Sequence, residues 1–495
     1  MQGTAKQAGP RQLRFVIIGA GMAGLLAGIR LKERGDTDFT IYEKGDGVGG
    51  TWRENHYPGL ACDTPAHSYT YSFATNPEWS AFYAPGPEIR AYFEGIADSF
   101  ELKKQIVFNS EIASCRFIDG RWRIETTDGR EDIADVVVAA TGVLHHPSMP
   151  DIPGLEDFAG PSFHSARWDD SVPLAGRRIG VIGNGSTGVQ IVSALAAEAG
   201  RLVHFQRSPQ WIMPCPDTQY SEADKQAFRE DPAKIAAVRN GPDAAARRNR
   251  FAAAIIDMDS PELAEIQAIV ERNLEDSVRD PVLREKLRPD YRAACKRMIF
   301  SAHYYDAVQQ PSVLVERGAI ARIEAGGVRM EDGSFHELDV LVLATGFRVD
   351  QFVRPIVVEG LGGHKLDDLW AERPRAFYAV TVPGFPNFYL LNGPTGPVGN
   401  FTLIDIAEAQ WNYVDQLTDL LRAGTCDAVA PKIAALEDYE ARRGEAAMRT
   451  VFASGCRSWY LDSNGVPQVW PWSFAHFQAV MAKPDLDDYE LIREQ

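Results

Sequence analysis

Two glycine turns constrain this chain more than any other feature. The first, Gly19-Ala-Gly21-Met-Ala-Gly24, follows the apolar run Phe15-Val-Ile-Ile18, and the second, Gly183-Asn-Gly185-Ser-Thr-Gly188, follows Ile179-Gly-Val-Ile182. In each case a β-like segment feeds a glycine turn and then an Ala/Leu/Val-rich helical pattern. That is the G-x-G-x-x-G context in which a pyrophosphate meets the free N–H groups of a helix N-terminus. Each unit also closes alike: Asp135-Val-Val-Val-Ala-Ala-Thr141-Gly142 is repeated as Asp339-Val-Leu-Val-Leu-Ala-Thr345-Gly346. The order fingerprint, Thr-Gly, fingerprint, Thr-Gly predicts an α/β chain of two Rossmann-like domains, the second inserted in the first.

The residue that reads the ribose differs between the two units. Nineteen residues past Gly24 stands Glu43, and nineteen past Gly188 stands Arg207. A carboxylate accepts hydrogen bonds from a ribose diol, whereas a guanidinium favours a 2′-phosphate. The first site is therefore expected to hold FAD and the second NADPH, which would feed it. With 495 residues there is material for two or three cores. A net charge of −17 argues against nucleic-acid or anionic-membrane partners. The cysteines Cys62, Cys115, Cys215, Cys295, Cys426 and Cys456 are scattered and form no C-x-x-C pair. This speaks against a redox dithiol and a zinc site and fits a reducing cytosol. No apolar run approaches membrane-spanning length, and residues 1–11 read as a disordered tail.

The chain divides by pattern into an FAD-binding part (1–144), an NADP-binding part (145–212), a helical insertion (213–296), a second NADP part (297–381) and a C-terminal FAD part (382–495). Arg121-Trp-Arg-Ile-Glu-Thr-Thr-Asp-Gly129 alternates polar and apolar and reads as a strand of a small meander. The proline-rich residues 145–153 read as a linker, and His145-His146 within it read as linker residues rather than metal ligands, with no metal expected. Ala244–Ile256 and Glu262–Arg272 have helical spacing.

Two further motifs carry a family resemblance. One is Gly49-Gly50-Thr-Trp52-Arg-Glu-Asn-His-Tyr57-Pro58-Gly59-Leu-Ala-Cys-Asp63. The other is Phe158-Ala-Gly160-Pro-Ser-Phe-His164-Ser-Ala-Arg-Trp168-Asp169. The chain resembles the type I Baeyer–Villiger monooxygenases over nearly its whole length, including Cys295-Lys296-Arg297 and Ser458-Trp459-Tyr460. Every defined position of G-G-x-W-x-x-x-x-[FY]-P-G-x-x-x-D and F-x-G-x-x-x-H-x-x-x-W-[PD] is matched. It departs at Met298, where the family often has proline, and at Gly393-Pro-Thr-Gly396, which replaces a serine-bearing version.

The resemblance implies that Arg297 is the catalytic arginine over the flavin face, fixed by Asp63. It implies that Lys296 and Arg207 hold the NADP 2′-phosphate, that Trp459 lies near the cofactor amide, and that His164 and Trp168 couple the domains. The cofactor-binding positions expected overall are Gly19, Gly21, Gly24, Glu43, Lys44, Gly50, Thr51, Trp52, Asp63, Tyr69, Ile112, Thr141, Gly183, Gly185, Ser186, Thr187, Gly188, Gln190, Arg207, Ser208, Lys296, Thr345, Gly346 and Trp459. The implied reaction is insertion of one oxygen atom of O2 beside a ketone carbonyl through a C4a-peroxyflavin, giving an ester or lactone. A fixed guanidinium favours the nucleophilic peroxide anion that such chemistry needs. N- or S-oxygenation, or a plain NADPH-dependent flavin reductase or oxidase, are the alternatives. The aromatic-rich segments His67–Phe73 and Trp79–Tyr83 suggest a bulky or aromatic ketone. The expected enzyme is cytoplasmic, a monomer or homodimer.

Overall fold

The computed structural model describes residues 11–397 and 401–493. The tail expected over 1–11 lies outside them except for Arg11, whose backbone N–H donates to Arg422 O at 2.9 Å. Two five-stranded parallel sheets organise the chain. The first runs in the order Phe388–Leu390, Val136–Ala139, Phe15–Ile18, Phe39–Tyr42, Ile106–Val107, and the second in the order Val313–Arg317, Arg201–Gln206, Arg178–Ile182, Val340–Leu343, Ser162–His164. The central strands are continuous apolar runs because both faces of each sheet are covered, as parallel sheets require. All strands of the second sheet fall between two neighbouring strands of the first, so the second Rossmann-like domain is inserted in the first.

The segment 121–129 does form a meander strand, Arg121–Thr126, between Ile112–Ile118 and Glu131–Ala134. Its Trp122, Ile124 and Thr126 point inward and Arg123 and Glu125 outward. The edge of this sheet corrects the sequence boundary at 382. Strand Val357–Glu359 pairs in parallel with Ser114–Arg116, and Val353, Leu366 and Trp370 pack in the same core. The chain is back on the first domain by residue 353, because the apolar residues that follow Thr345-Gly346 complete that core and not the second one.

Between Met213 and Ile299 the chain forms helices at Glu222–Glu230, Pro232–Asn240, Pro242–Ile256, Pro261–Ser277 and Pro281–Lys286. Each has a sharp start. Ser221, Asp231, Ser260 and Asp280 are N-caps whose side chains accept a backbone N–H, and proline opens four of the five. Among the described residues no helix is long and apolar enough to cross a membrane.

Candidate active site

Both glycine turns open into one cleft of about 2000 Å³. Single ligand sites usually span ~300–1,000 Å³, so the cleft has room for two dinucleotides and a substrate. The two turns are built alike. Gly19 N–H donates to Tyr42 O at 2.7 Å, and Gly183 N–H to Phe205 O at 3.1 Å. A Cβ at Gly24 would lie 1.8 Å from Gly19 O, and one at Gly188 would lie 2.0 Å from Gly183 O, so helix and turn touch through backbone in both. The helices that follow, Met22–Arg34 and Ser186–Leu195, have Gly21 and Gly185 at their N-caps and no side-chain cap. Their first-turn N–H groups are left for an anion. Thr141 and Thr345 play matching parts: their hydroxyls donate to Phe352 O (2.7 Å) and Ser148 O (2.6 Å) on the linkers between the domains.

The ribose ends differ. Glu43 is buried, and its two carboxylate oxygens accept the N–H groups of Ala20 and Gly45, each at 2.8 Å. Strand register aligns Tyr42 with Phe205, since they face Ile18 and Ile182 respectively. The residue in the place of Glu43 is therefore Gln206, and Arg207 stands one further on, level with Lys44. Counting nineteen residues misses this because the second helix is shorter, 10 residues against 13, and the longer connection after it makes up all but one residue of the difference. Gln206 Oε1 accepts from Asn184 Nδ2 at 2.8 Å. Lys296 Nζ donates to Ser208 Oγ at 3.0 Å and sits 4.2 Å above the Tyr291 ring. Burial lowers the Lys296 ammonium below its ordinary pKa, and the Arg207 charge pushes the same way. Among the described residues neither cation has a carboxylate partner at ion-pair distance. Lys44, by contrast, meets Glu54 at 3.6 Å.

Across the cleft, Arg297 grips Asp63 with two nitrogens, Nε to Oδ2 at 3.1 Å and Nη2 to Oδ1 at 2.9 Å. The Asp63 charge and, more weakly, the nearby buried Tyr460 raise the guanidinium further above its ordinary pKa. Arg297 nonetheless keeps 39% of its side chain accessible, and it lines the cleft. Trp459 is exposed at the cleft wall and stacks on Tyr460 with ring centroids 3.9 Å apart. Met298 is buried, and Thr395 of the second departure is buried with a left-handed φ of 63°.

The remaining expected residues fall into two groups. Gly50, Thr51, Trp52, Tyr69, Ile112 and Gly346 line the cleft, and Trp52 Nε1 donates to Tyr69 Oη at 3.0 Å. Thr187 and Gln190 line it too, but they also make the seam between the domains. Tyr57 Oη donates to Gln190 Oε1 at 2.9 Å, and Gln190 Nε2 donates to Ala61 O at 2.9 Å. His164 and Trp168 lie away from the cleft and buried. His164 Nδ1 accepts from Ala166 N–H at 3.1 Å, and burial lowers its pKa. His164 packs 5.9 Å from the Phe347 ring, and Trp168 packs edge-on to Phe163. His145 and His146 contact Phe352 O and Arg354 O of the returning linker. The segments 67–73 and 79–83 are largely core: His67, Tyr71 and Trp79 are buried, and of their aromatics only Tyr69 and Tyr83 line the cleft.

The family model of flavin-binding monooxygenase-like proteins matches residues 12–221. An uncharacterized monooxygenase of Mycobacterium tuberculosis is 43% identical over 96% of both chains. A Baeyer–Villiger monooxygenase of Streptomyces coelicolor is 40% identical over 97% of this chain and 93% of its own. The chain belongs to the Baeyer–Villiger monooxygenases. Cyclohexanone monooxygenase from Rhodococcus sp. Phi1, solved with NADP+, superposes with a TM-score of 0.85 at 29% identity, covering 98% of this chain and all of the other. This Baeyer–Villiger monooxygenase is a flavoprotein that uses FAD and NADPH.

The residues present fit both cofactors of a Baeyer–Villiger monooxygenase. Several buried polar atoms on the cleft have no partner among the described residues: Ser110 Oγ, Asn392 Oδ1 and Ser458 Oγ on the first domain, and Gln206 Nε2 on the second. Such atoms are rarely left unpaired in native proteins and mark where ligand groups belong. Sequence reasoning missed Gln206, the Tyr57 seam and the partnership of Tyr460 with Arg297. It also gave the six scattered cysteines no pairing, whereas Cys295 and Cys456 form a disulfide. The signal available was that these two flank Lys296-Arg297 and Trp459-Tyr460.

Proposed function

We propose that Arg297 carries the oxygen-transfer step on a ketone, with Asp63 and Tyr460 as its positioning groups. The observation that carries this reading is the bidentate Arg297–Asp63 pair facing the cleft that both glycine turns share. Bound FAD supplies to dioxygen the electrons it receives from NADPH. Arg297, permanently charged and already oriented, stabilises the negative charge that grows on oxygen as the carbonyl is attacked. Asp63 keeps it aimed by holding two of its nitrogens. Glu43 would hold the FAD ribose, and Arg207, Lys296 and Ser208 the 2′-phosphate of NADPH.

The ketone wall is aromatic. Phe300 stands 6.1 Å from Phe251 and 6.4 Å from Tyr83, with Met213 and Ile255 beside them. The substrate is accordingly a ketone with a ring, as the solved relative's name, cyclohexanone monooxygenase, also suggests. The enzyme works in the cytoplasm as a monomer or homodimer, with its FAD part resuming by 353.

The test is Arg297→Ala, offered cyclohexanone and phenylacetone. The variant should bind FAD and accept hydride from NADPH at the normal rate while ester formation falls at least about 10²–10³-fold. Retained ester formation overturns the role.

A further inference from the structure

Two irregular segments present side chains to the reacting end of the cleft. One ends in Cys295-Lys296-Arg297, and the other runs Gly455-Cys456-Arg457-Ser458-Trp459-Tyr460. Neither is helix or strand, and among the described residues no backbone hydrogen bond joins them. Arg297 of the one lies near Tyr460 of the other. Their covalent tie is the disulfide Cys295–Cys456, which spans 161 residues with Cα atoms 6.2 Å apart. Both sulfurs belong to buried residues. The bond thus sits two residues from the arginine on one side and three from the tryptophan on the other, and it joins the end of the helical insertion to the C-terminal part of the FAD domain.

We propose that the Cys295–Cys456 pair is a reversible positioning bond of the monooxygenase. Oxidised, it holds the Arg297 segment against the Trp459-Tyr460 segment so that oxygen activated at the flavin is retained for transfer. Reduced, it lets the segments part, and the oxygen leaves as hydrogen peroxide. A disulfide in a cytosolic protein is typically of this reversible kind. Lys296, Arg297 and Arg457 adjoin the pair in sequence, and both cysteines pack in a buried apolar cluster.

The oxidant is hydrogen peroxide, which the leaking enzyme itself makes. The Cys456 thiolate attacks one peroxide oxygen, and the departing hydroxide takes the thiol proton and leaves as water. The Cys295 thiolate then attacks the resulting sulfenic sulfur; its S–S bond forms as the S–O bond breaks and a second water leaves. Two thiols and one peroxide give one disulfide and two waters. A small dithiol reverses the reaction by two exchanges and is itself oxidised to a disulfide. The leak thereby tightens the site that leaks.

The proposal rests on Arg297 acting at the reacting centre, yet the two fail separately, because Arg297→Ala leaves the thiol count untouched. Holoenzyme purified without reductant is denatured, alkylated with iodoacetamide and weighed. Four alkylated cysteines are expected, Cys62, Cys115, Cys215 and Cys426, and six after dithiothreitol. Native holoenzyme is then reduced with dithiothreitol, desalted, and compared with the oxidised form for peroxide released with NADPH and no ketone. Peroxide release should rise about threefold or more on reduction, return after one equivalent of hydrogen peroxide, and stay high in Cys295→Ser/Cys456→Ser. Anaerobic flavin reduction by NADPH should change little. Six reactive cysteines in untreated protein overturn the proposal. So does an equal leak in both redox states, including the case where reduction only lowers Tm.

Discussion

The two nucleotide-binding halves solve the same backbone problem identically and the recognition problem oppositely. Turn, helix start and Thr-Gly closure superimpose in kind: Gly24 against Gly19, Gly188 against Gly183, Thr141 and Thr345 each on a linker carbonyl. What differs is what stands at the end of the second strand. In the first half a buried carboxylate is pinned by two backbone N–H groups. In the second a neutral amide is held by Asn184 beside cations that, among the described residues, have no carboxylate at ion-pair distance. On the proposed assignment, packing fixes where the dinucleotide lies and the side chain at this position helps decide which dinucleotide it is. The second half withholds negative charge from a phosphate site before it adds positive charge.

The most damaging way to probe this likeness is to fill the glycines. Gly24→Ala and Gly188→Ala each place a methyl against a backbone oxygen that cannot turn aside. Gly24→Ala should yield protein essentially free of FAD, read from its visible absorbance. Gly188→Ala should keep FAD and lose NADPH affinity by about tenfold or more. If both lose the same cofactor, the assignment of halves is wrong.

Smaller effects test the difference between the halves. Arg207→Ala should raise KM for NADPH by about 10–100-fold, the scale of a lost charge-assisted bond, with KM for NADH nearly unchanged. Gln206→Glu recreates the arrangement of the first half and should cut the NADPH-over-NADH preference in kcat/KM about tenfold. A preference that survives would show that Gln206 does not face the ribose.

A further effect concerns acid. The register that aligns Glu43 with Gln206 aligns Ile41 with His204. His204 Nε2 donates to Gly183 O at 3.0 Å, and its Nδ1 faces the Tyr304 hydroxyl at 3.1 Å. Burial lowers its pKa from 6.5 to about 4. The unfolded chain therefore takes up this proton first as pH falls. The stabilisation is complete above about 6.5 and is lost on the way down to 4, up to about 2–4 kcal/mol. Thermal unfolding from pH 7 to 4.5 should show Tm dropping, and His204→Gln, which keeps a donor but does not titrate, should flatten the drop. An equal slope in the variant removes His204 as the cause.

Local chemistry was legible in the sequence wherever neighbours along the chain decide it. The strand-turn-helix units, the Thr-Gly repeats and the meander strand at Arg121 are all contiguous patterns. The Arg297–Asp63 pair, 234 residues apart, was legible only through the motif resemblance, yet the structure brings the two within hydrogen-bond reach. What stayed hidden depends on three-dimensional register or on surfaces with no spacing rule. Gln206 was missed because residue counting ignores a shorter helix. The return by 353 was missed because Val357–Glu359 is a short edge strand that gains its meaning only beside Ser114. The Cys295–Cys456 bond was missed because two cysteines 161 residues apart obey no local code.

The linkers have a mechanical consequence. The outgoing and returning segments run antiparallel and hydrogen-bond each other: Ser148 N–H donates to Gly346 O at 2.8 Å and Arg348 N–H to His146 O at 2.9 Å. Two strands stitched in this way are stiff in their own plane and soft mainly to twisting and to flexing out of it. The inserted domain is thus suspended as a door on a strap hinge rather than as a weight on a string. Thr141 and Thr345 are the screws that fasten the strap to either frame. A rotation of the inserted domain about residues 146–148 and 346–348 would also have to break or carry along the Tyr57–Gln190 seam.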